Sequence, residues 1–232
     1  MMSSADQRQY LQLLGIDVWV ERGGQPANDE SAPQSEEQST QDGTSVGSVD
    51  WADLQKQVLG CTNCELHTSR KQTVFGCGDP AADWMIIGEA PGAEEDRQGE
   101  PFVGRAGQLL NSMLQAIGLQ REQVYIANIL KCRPPNNRDP KAEEVAHCES
   151  YLRQQIMHIQ PKIILALGRV AAQNLLKVDT PIGKMRGRDY VYPETDIPVV
   201  VSYHPAYLLR SPAEKRKSWQ DLQMAMATYR KS

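Results

Sequence analysis

What most limits the fold of this chain is a set of four short apolar runs, each followed by a segment with helical character. The runs are Trp84 to Ile87, Val124 to Ile129, Lys162 to Leu167 and Pro198 to Ser202. After the first comes AGQLLNSMLQAI (106–117), with Leu109, Leu110, Met113, Leu114 and Ile117 at helical spacing and Gly118 as a stop. After the second, Asp139-Pro140 stands in N-cap and first-turn positions and predicts a helix to about Ile159. Gly168 opens a helix after the third run, and residues 213–230 read as a last helix. Ahead of them all, Asp50 can cap a helix carrying Trp51, Leu54 and Val58 on one face. Strand alternating with helix predicts an α/β protein, a three-layer α/β/α sandwich around a central four-stranded parallel sheet.

Open parallel sheets bind ligands outside the carboxyl ends of their strands. The first run leads into Gly88-Glu89-Ala90-Pro91-Gly92, the second carries Asn128 near its tip, the third ends in Gly168-Arg169 and the fourth in Ser202-Tyr203-His204-Pro205. A carboxylate, an amide, a helix start suited to phosphate and an imidazole thus share one rim. Each alone has a plain structural reading; their agreement with the crevice rule points to a site. Phe102, one of two phenylalanines, sits in the polar loop after the first strand. It is either a core plug or a stacking surface for a planar ligand.

The N-terminal fifty residues differ in kind. Residues 23–50 hold six acids and no Lys or Arg, and residues 1–22 carry net −1, so the −4 chain leaves 51–232 at +3. Such a body permits a polyanionic partner without demanding one. We read 23–50 as an acidic disordered linker, and 1–22 as a docking peptide or an arm packed on its own domain, leaving 51–232 as the functional domain. No run is long and apolar enough to span a membrane, and MMSSADQRQY is no signal peptide, so a cytoplasmic protein is expected.

In that compartment five cysteines favour metal ligation or core packing over disulfides. Cys61 and Cys64 form CTNC, Cys132 lies in KCRPP, Cys148 lies inside the following helix, and Cys77 stands apart. One CxxC with two dispersed cysteines suits an iron–sulfur cluster better than a zinc ribbon, which prefers two CxxC knuckles. A redox pair at 61 and 64, and Cys148 as a core residue, remain open.

The pieces GEAPG, GEPFVGRAGQLL, YIANILKCRPPNNRDP, ALGRVAAQNLL and HPAYLLR, in that order over about residues 51–225, resemble the family 4, iron–sulfur, uracil-DNA glycosylases. The resemblance implies a [4Fe-4S] cluster held by Cys61, Cys64, Cys132 and Cys148. It implies a monofunctional enzyme that flips uracil out of DNA, hydrolyses its glycosidic bond and leaves an abasic site for base excision repair. Uracil would be held by Gly88, Phe102 and Asn128, with Glu89 and His204 catalytic. Because the aspartate of better-known superfamily members is replaced by Ala90, as family 4 itself has it, Glu89 is expected to act either as a water-positioning carboxylate or as electrostatic support of the sugar cation. DNA would be met by Gly168, Arg169, Leu208, Leu209 and Arg210, with Leu208 or Leu209 as the wedge. Glu95 or Asp96 is the candidate for excluding the thymine methyl. The chain lacks the basic, histidine-containing insertion between Gly104 and Leu109 of relatives that trap DNA covalently, which implies turnover. The tip YLQLLGIDVWV resembles the N-terminal peptide of the psi subunit of the bacterial replicase clamp loader, so residues 8–22 are expected to reach a replisome or other repair protein. A monomer is expected. The competing readings are a non-catalytic nucleic-acid-binding iron–sulfur module and an electron-transfer protein, neither of which needs the strand-end residues.

Overall fold

A computed structural model describes residues 50–193 and 195–231. The docking peptide at 1–22, and the linker at 23–50 except Asp50, lie outside the described residues. The first helix, α1 (Trp51–Leu59), starts where expected, with the Asp50 carboxylate accepting from the Ala52 N–H at 3.2 Å.

The sheet has six strands, not four. The four expected strands are present as β2 (Trp84–Gly88), β3 (Tyr125–Asn128), β4 (Ile163–Leu167) and β6 (Pro198–Ser202), all mutually parallel where they pair. Two-residue antiparallel strands, β1 (Cys77–Gly78) and β5 (Tyr190–Val191), flank them, giving the order β1-β3-β2-β4-β6-β5. The parallel sheet of the sequence reading is therefore the centre of a mixed sheet. The chain moves from β2 to one side at β3, then crosses to the other at β4, and that reversal opens a crevice at the strand tips.

Side chains alternate across the sheet as a pleat requires. Trp84, Ile86, Ile126, Ile163, Leu165, Leu167 and Val200 join one apolar cluster; Met85, Ile87, Tyr125, Ala127, Ile164, Ala166, Val199 and Val201 join the other. The first cluster is closed by Leu110, Met113 and Leu114 of α3 (Arg105–Ala116) and by Leu222 and Ala225 of α8 (Lys215–Tyr229). The second is closed by Val145, Cys148, Leu152 and Ile156 of α4 (Ala142–Ile159) and by Ala171, Ala172 and Leu175 of α5 (Arg169–Leu176). Leu54 and Val58 of α1 pack with Phe75 and Tyr151 as a smaller third cluster.

Two helix starts differ from expectation. Helix α4 begins at Ala142, not at Asp139-Pro140, because Glu144 reaches back to accept from the Lys141 N–H at 2.8 Å while the Asp139 carboxylate is engaged by Arg169. The last helix is a 3₁₀ turn at Pro212–Glu214 followed by α8. Short helices α2 (Ala93–Gln98), α6 (Ile182–Met185) and α7 (Pro205–Arg210) complete the order. No helix among the described residues is long and apolar enough to cross a membrane.

Candidate active site

A cavity of about 410 Å³ opens at the carboxyl ends of the central strands, walled by Glu89, Phe102, Asn128 and His204 and rimmed by Pro134, Arg138, Asp139, Tyr207 and Arg210. Of the four strand-end groups placed on one rim, Glu89, Asn128 and His204 line the cavity together with Phe102, while Gly168 and Arg169 are not among its lining residues. Gly88 and Asn128 are paired across β2 and β3. The missing side chain of Gly88 is what lets the pocket close: a Cβ there would lie 2.5 Å from Asn128 Oδ1 and 2.6 Å from Phe102 Cζ.

Asn128 is 2% exposed. Its main-chain carbonyl accepts from Lys131 Nζ at 3.0 Å, and the Ile129 N–H donates to the Gly88 carbonyl at 3.0 Å, so the strand tip is fixed. Its side-chain Oδ1 is buried with no hydrogen-bond partner. A buried acceptor left unpaired costs about 1–3 kcal/mol. That cost is recovered when an N–H enters the pocket, and Asn128 is thereby poised for a ligand that donates at this point.

His204 caps α7: its Nδ1 accepts from the Ala206 N–H at 3.2 Å. With Nδ1 an acceptor, the neutral ring carries its proton on Nε2 and offers a donor. Burial, with Arg210 adding to it and Glu95 opposing, lowers the imidazole to about 4, so the ring is neutral at ordinary pH. Its approach depends on Gly168, which has φ +94° and where a Cβ would stand 3.0 Å from His204 Cβ. The strand feeding His204 is anchored by a buried network in which Ser202 Oγ donates to Asp221 Oδ2 at 2.8 Å and Arg186 grips both Asp221 oxygens at 2.7 and 2.8 Å.

Burial, then the Asp139 charge, push the Glu89 carboxyl above its usual range, with Arg169 opposing. Phe102 is 6% exposed and tilts against the His204 ring with centroids 5.4 Å apart. It is neither only a core plug nor only a pocket wall, since it lines the cavity and also joins the α3/α8 cluster. Its backbone is left-handed, φ +54°, a conformation costing a non-glycine residue about 1–3 kcal/mol.

Two expectations for the DNA face, Leu208 and Gly168, need correction. Leu208 is 1% exposed and belongs to the core, so it is no wedge; Leu209, on the same helix, is 36% exposed. Gly168 does not offer its N–H to a phosphate, because that group donates to the Ser202 carbonyl at 2.8 Å. Arg169 is exposed but ion-paired with Asp139. Arg210 is exposed at the cavity mouth. Of the two loop acids, Asp96 is buried and accepts from the Lys71 N–H at 2.9 Å, turned from the cavity, whereas Glu95 lines it.

The four cysteines approach one another in a corner beside α4. Cys132 and Cys148 are buried, and Cys61 and Cys64 are half-buried. Burial raises both inner thiols, Cys148 to about 11; Cys132 also feels the charges of Cys64 and Cys61, and Cys148 those of Cys132 and Cys64. Among the described residues no group of three or more His, Cys, Asp or Glu is arranged to hold a metal ion. The surroundings nevertheless suit an anionic sulfur-ligated group. Arg70 donates to Cys132 Sγ at 3.0 Å and to the Cys61 carbonyl at 2.7 Å. Lys131, 1% exposed, donates to the neutral Gln155 Oε1 at 2.6 Å and to the Asn128 carbonyl. Sulfur donors with a guanidinium and an amine beside them are the kind of surroundings such a cluster would take.

Residues 75–223 match the family model of the uracil DNA glycosylase superfamily. The chain is 46% identical over 166 residues to the type-4 uracil-DNA glycosylase of Archaeoglobus fulgidus, an alignment covering 69% of this chain and 83% of that protein. It is 41% identical over 183 residues to the type-4 enzyme of Thermotoga maritima, covering 77% and 94%. A type-5 uracil-DNA glycosylase of Pyrobaculum aerophilum is 30% identical over 187 residues, covering 67% and 82%.

Proposed function

This chain belongs to the uracil DNA glycosylase superfamily, and we propose that it excises uracil from DNA as a monofunctional hydrolase of the type-4 kind, initiating base excision repair. The observation that carries the reading is the orphaned, buried Asn128 Oδ1 at the pocket floor. Uracil presents an N–H at N3 beside the O4 carbonyl, so the Asn128 amide can accept from the first and donate to the second. Cytosine presents a bare N3 and an amino group and would leave both ends mismatched. In a dry pocket that mismatch costs a few kcal/mol.

A base inside a duplex cannot reach this cavity, so it is flipped out first. Leu209 is the wedge that fills the vacated stack, and Arg210 and Arg169 take phosphates, Arg169 by exchanging Asp139 for the DNA backbone. Phe102 stacks on the uracil face. As the bond from the sugar C1′ to uracil N1 breaks, its electron pair moves onto the base and toward O2. The neutral His204 donates there from Nε2; a preorganised donor of this kind is worth about 3–4 kcal/mol. Glu89, ionised, holds the water whose oxygen bonds to C1′, and the water's proton leaves toward the carboxylate. No lysine is placed to form a Schiff base, so the strand stays intact.

Cys61, Cys64, Cys132 and Cys148 would hold a [4Fe-4S] cluster, supplying a structural cross-link between the segment after α1 and the segment leaving β3. The same reading makes the protein a cytoplasmic monomer, with residues 8–22 directed to a replisome or repair partner. The test is incubation with an end-labelled oligonucleotide carrying one uracil, with and without hot alkali. Cleavage only after alkali is the expected result; no cleavage by folded protein, or cleavage without alkali, overturns the reading.

A further inference from the structure

Phe102 occupies a backbone conformation that its own side chain disfavours, and the segment around it is gripped from both polar sides. The Arg121 guanidinium donates to the carbonyls of Pro101 and Phe102, the latter at 3.3 Å. The Glu95 carboxylate accepts from the next two amides, Val103 N–H at 3.0 Å and Gly104 N–H at 3.1 Å. Opposite them is bare Gly107, where a Cβ would fall 1.7 Å from the Phe102 oxygen. Arg121 is itself tied down, donating to Asn111 Oδ1 at 3.3 Å and Cys77 Sγ at 3.2 Å. All four of its acceptors are neutral, since burial raises the Cys77 thiol. A half-buried guanidinium therefore spends its donors on two carbonyls of one loop, one side chain of α3 and one atom of the edge strand β1. Arg121 does not line the pocket.

We infer that Arg121 is a positioning residue for uracil recognition, holding the Phe102 ring at its stacking angle over the base, with Glu95 as the opposing half of the clamp. This deepens the uracil-excision reading and rests on it. Without Arg121 the Pro101 and Phe102 carbonyls lose their shared donor, and the segment is free to relax to negative φ. The ring then leaves the cavity wall and no longer supports the base. Because the effect passes through Phe102 alone, it vanishes when the ring is absent.

The experiment is a double-mutant cycle on the full chain. Wild type, Arg121→Gln, Phe102→Leu and the double variant are compared in single-turnover excision of uracil from an oligonucleotide and in inhibition by free uracil. Each single variant should weaken free-uracil inhibition about tenfold, with the double variant no weaker than Phe102→Leu. Fold losses that multiply would overturn the inference, since Arg121 would then act by another route; so would unchanged inhibition in Arg121→Gln. If Arg121→Gln fails to fold, Arg121→Lys keeps the charge but not the fork, and the same cycle is read with it. Inactivity of the wild type would instead sink the uracil-excision reading, so the two failures are distinguishable.

Discussion

Asn128 and Cys132 leave the same strand four residues apart, yet they serve regions organised on different principles. In the pocket His204 is neutral, and Asn128 Oδ1 lacks one hydrogen-bond donor. The cysteine corner instead sets basic groups beside sulfur. Arg70 and Lys131 stand beside neutral thiols, and burial lowers Lys131 to about 7. A site lacking one donor suits a ligand that comes and goes; under the proposed function, a site with basic groups beside sulfur would hold its anionic group.

The comparison breaks if damage in one region travels to the other. The largest separation is expected for His204→Ala, which should slow single-turnover excision by about 10²–10³-fold while lowering the melting temperature by only a few degrees, about the loss of one helix cap; a collapse in thermal stability would show that the pocket is not independent. Cys148→Ser should do the reverse. Its melting temperature should fall on the order of 10 °C with loss of bound iron, and the protein that remains folded should excise uracil within a few-fold of wild type. Melting by circular dichroism and an iron assay check this. Asn128→Ala should lower kcat/KM by about 10- to 100-fold and erode discrimination against cytosine, measured with paired uracil and cytosine oligonucleotides.

The acid limb of the pH profile sharpens the contrast further. The Glu89 carboxyl lies above its usual range, so falling pH protonates it first and the rate drops with it. In Glu89→Gln that limb should vanish, leaving a slower rate that stays level until His204 protonates near its value of about 4. Protonated Nδ1 would confront the Ala206 N–H it now accepts. The folded His204 value lies below the ordinary 6.5, so stability should also decline as pH falls from 6.5 toward 4 and level off beneath it. The smallest effect is expected for Leu209→Ala, a few-fold loss in kcat/KM with unchanged melting, whereas Leu208→Ala should lower the melting temperature through a core cavity.

The two leucines also show what the sequence could and could not reveal. Parallel strands buried on both faces announce themselves as apolar runs, and the residue after each run falls on the ligand-binding rim by geometry alone. That made Glu89, Asn128 and His204 legible. Leu208 and Leu209 are chemically identical and adjacent; only the helix at Pro205–Arg210, which turns successive residues by about 100°, decides which faces the core. Arg121 and Gly107 left no local signal, and Glu95, singled out only against the thymine methyl, none for its grip on the loop, because their meaning depends on which carbonyls and amides the loop brings to them. Helix α2 is polar along its length, AEEDRQ, and offers no apolar period to detect. The edge strands are too short to carry alternation.

Those two-residue edges have a consequence for the protein in concentrated solution. A long, flat strand at the margin of a sheet exposes a ladder of unpaired amides and carbonyls onto which another chain can add. Here β1 and β5 close each margin after two residues, with Gly78 at φ +108° on one side and Asp189 preceding β5 on the other. Among the described residues each margin of the sheet ends in a strand of two residues, too short to template a long edge-to-edge pairing.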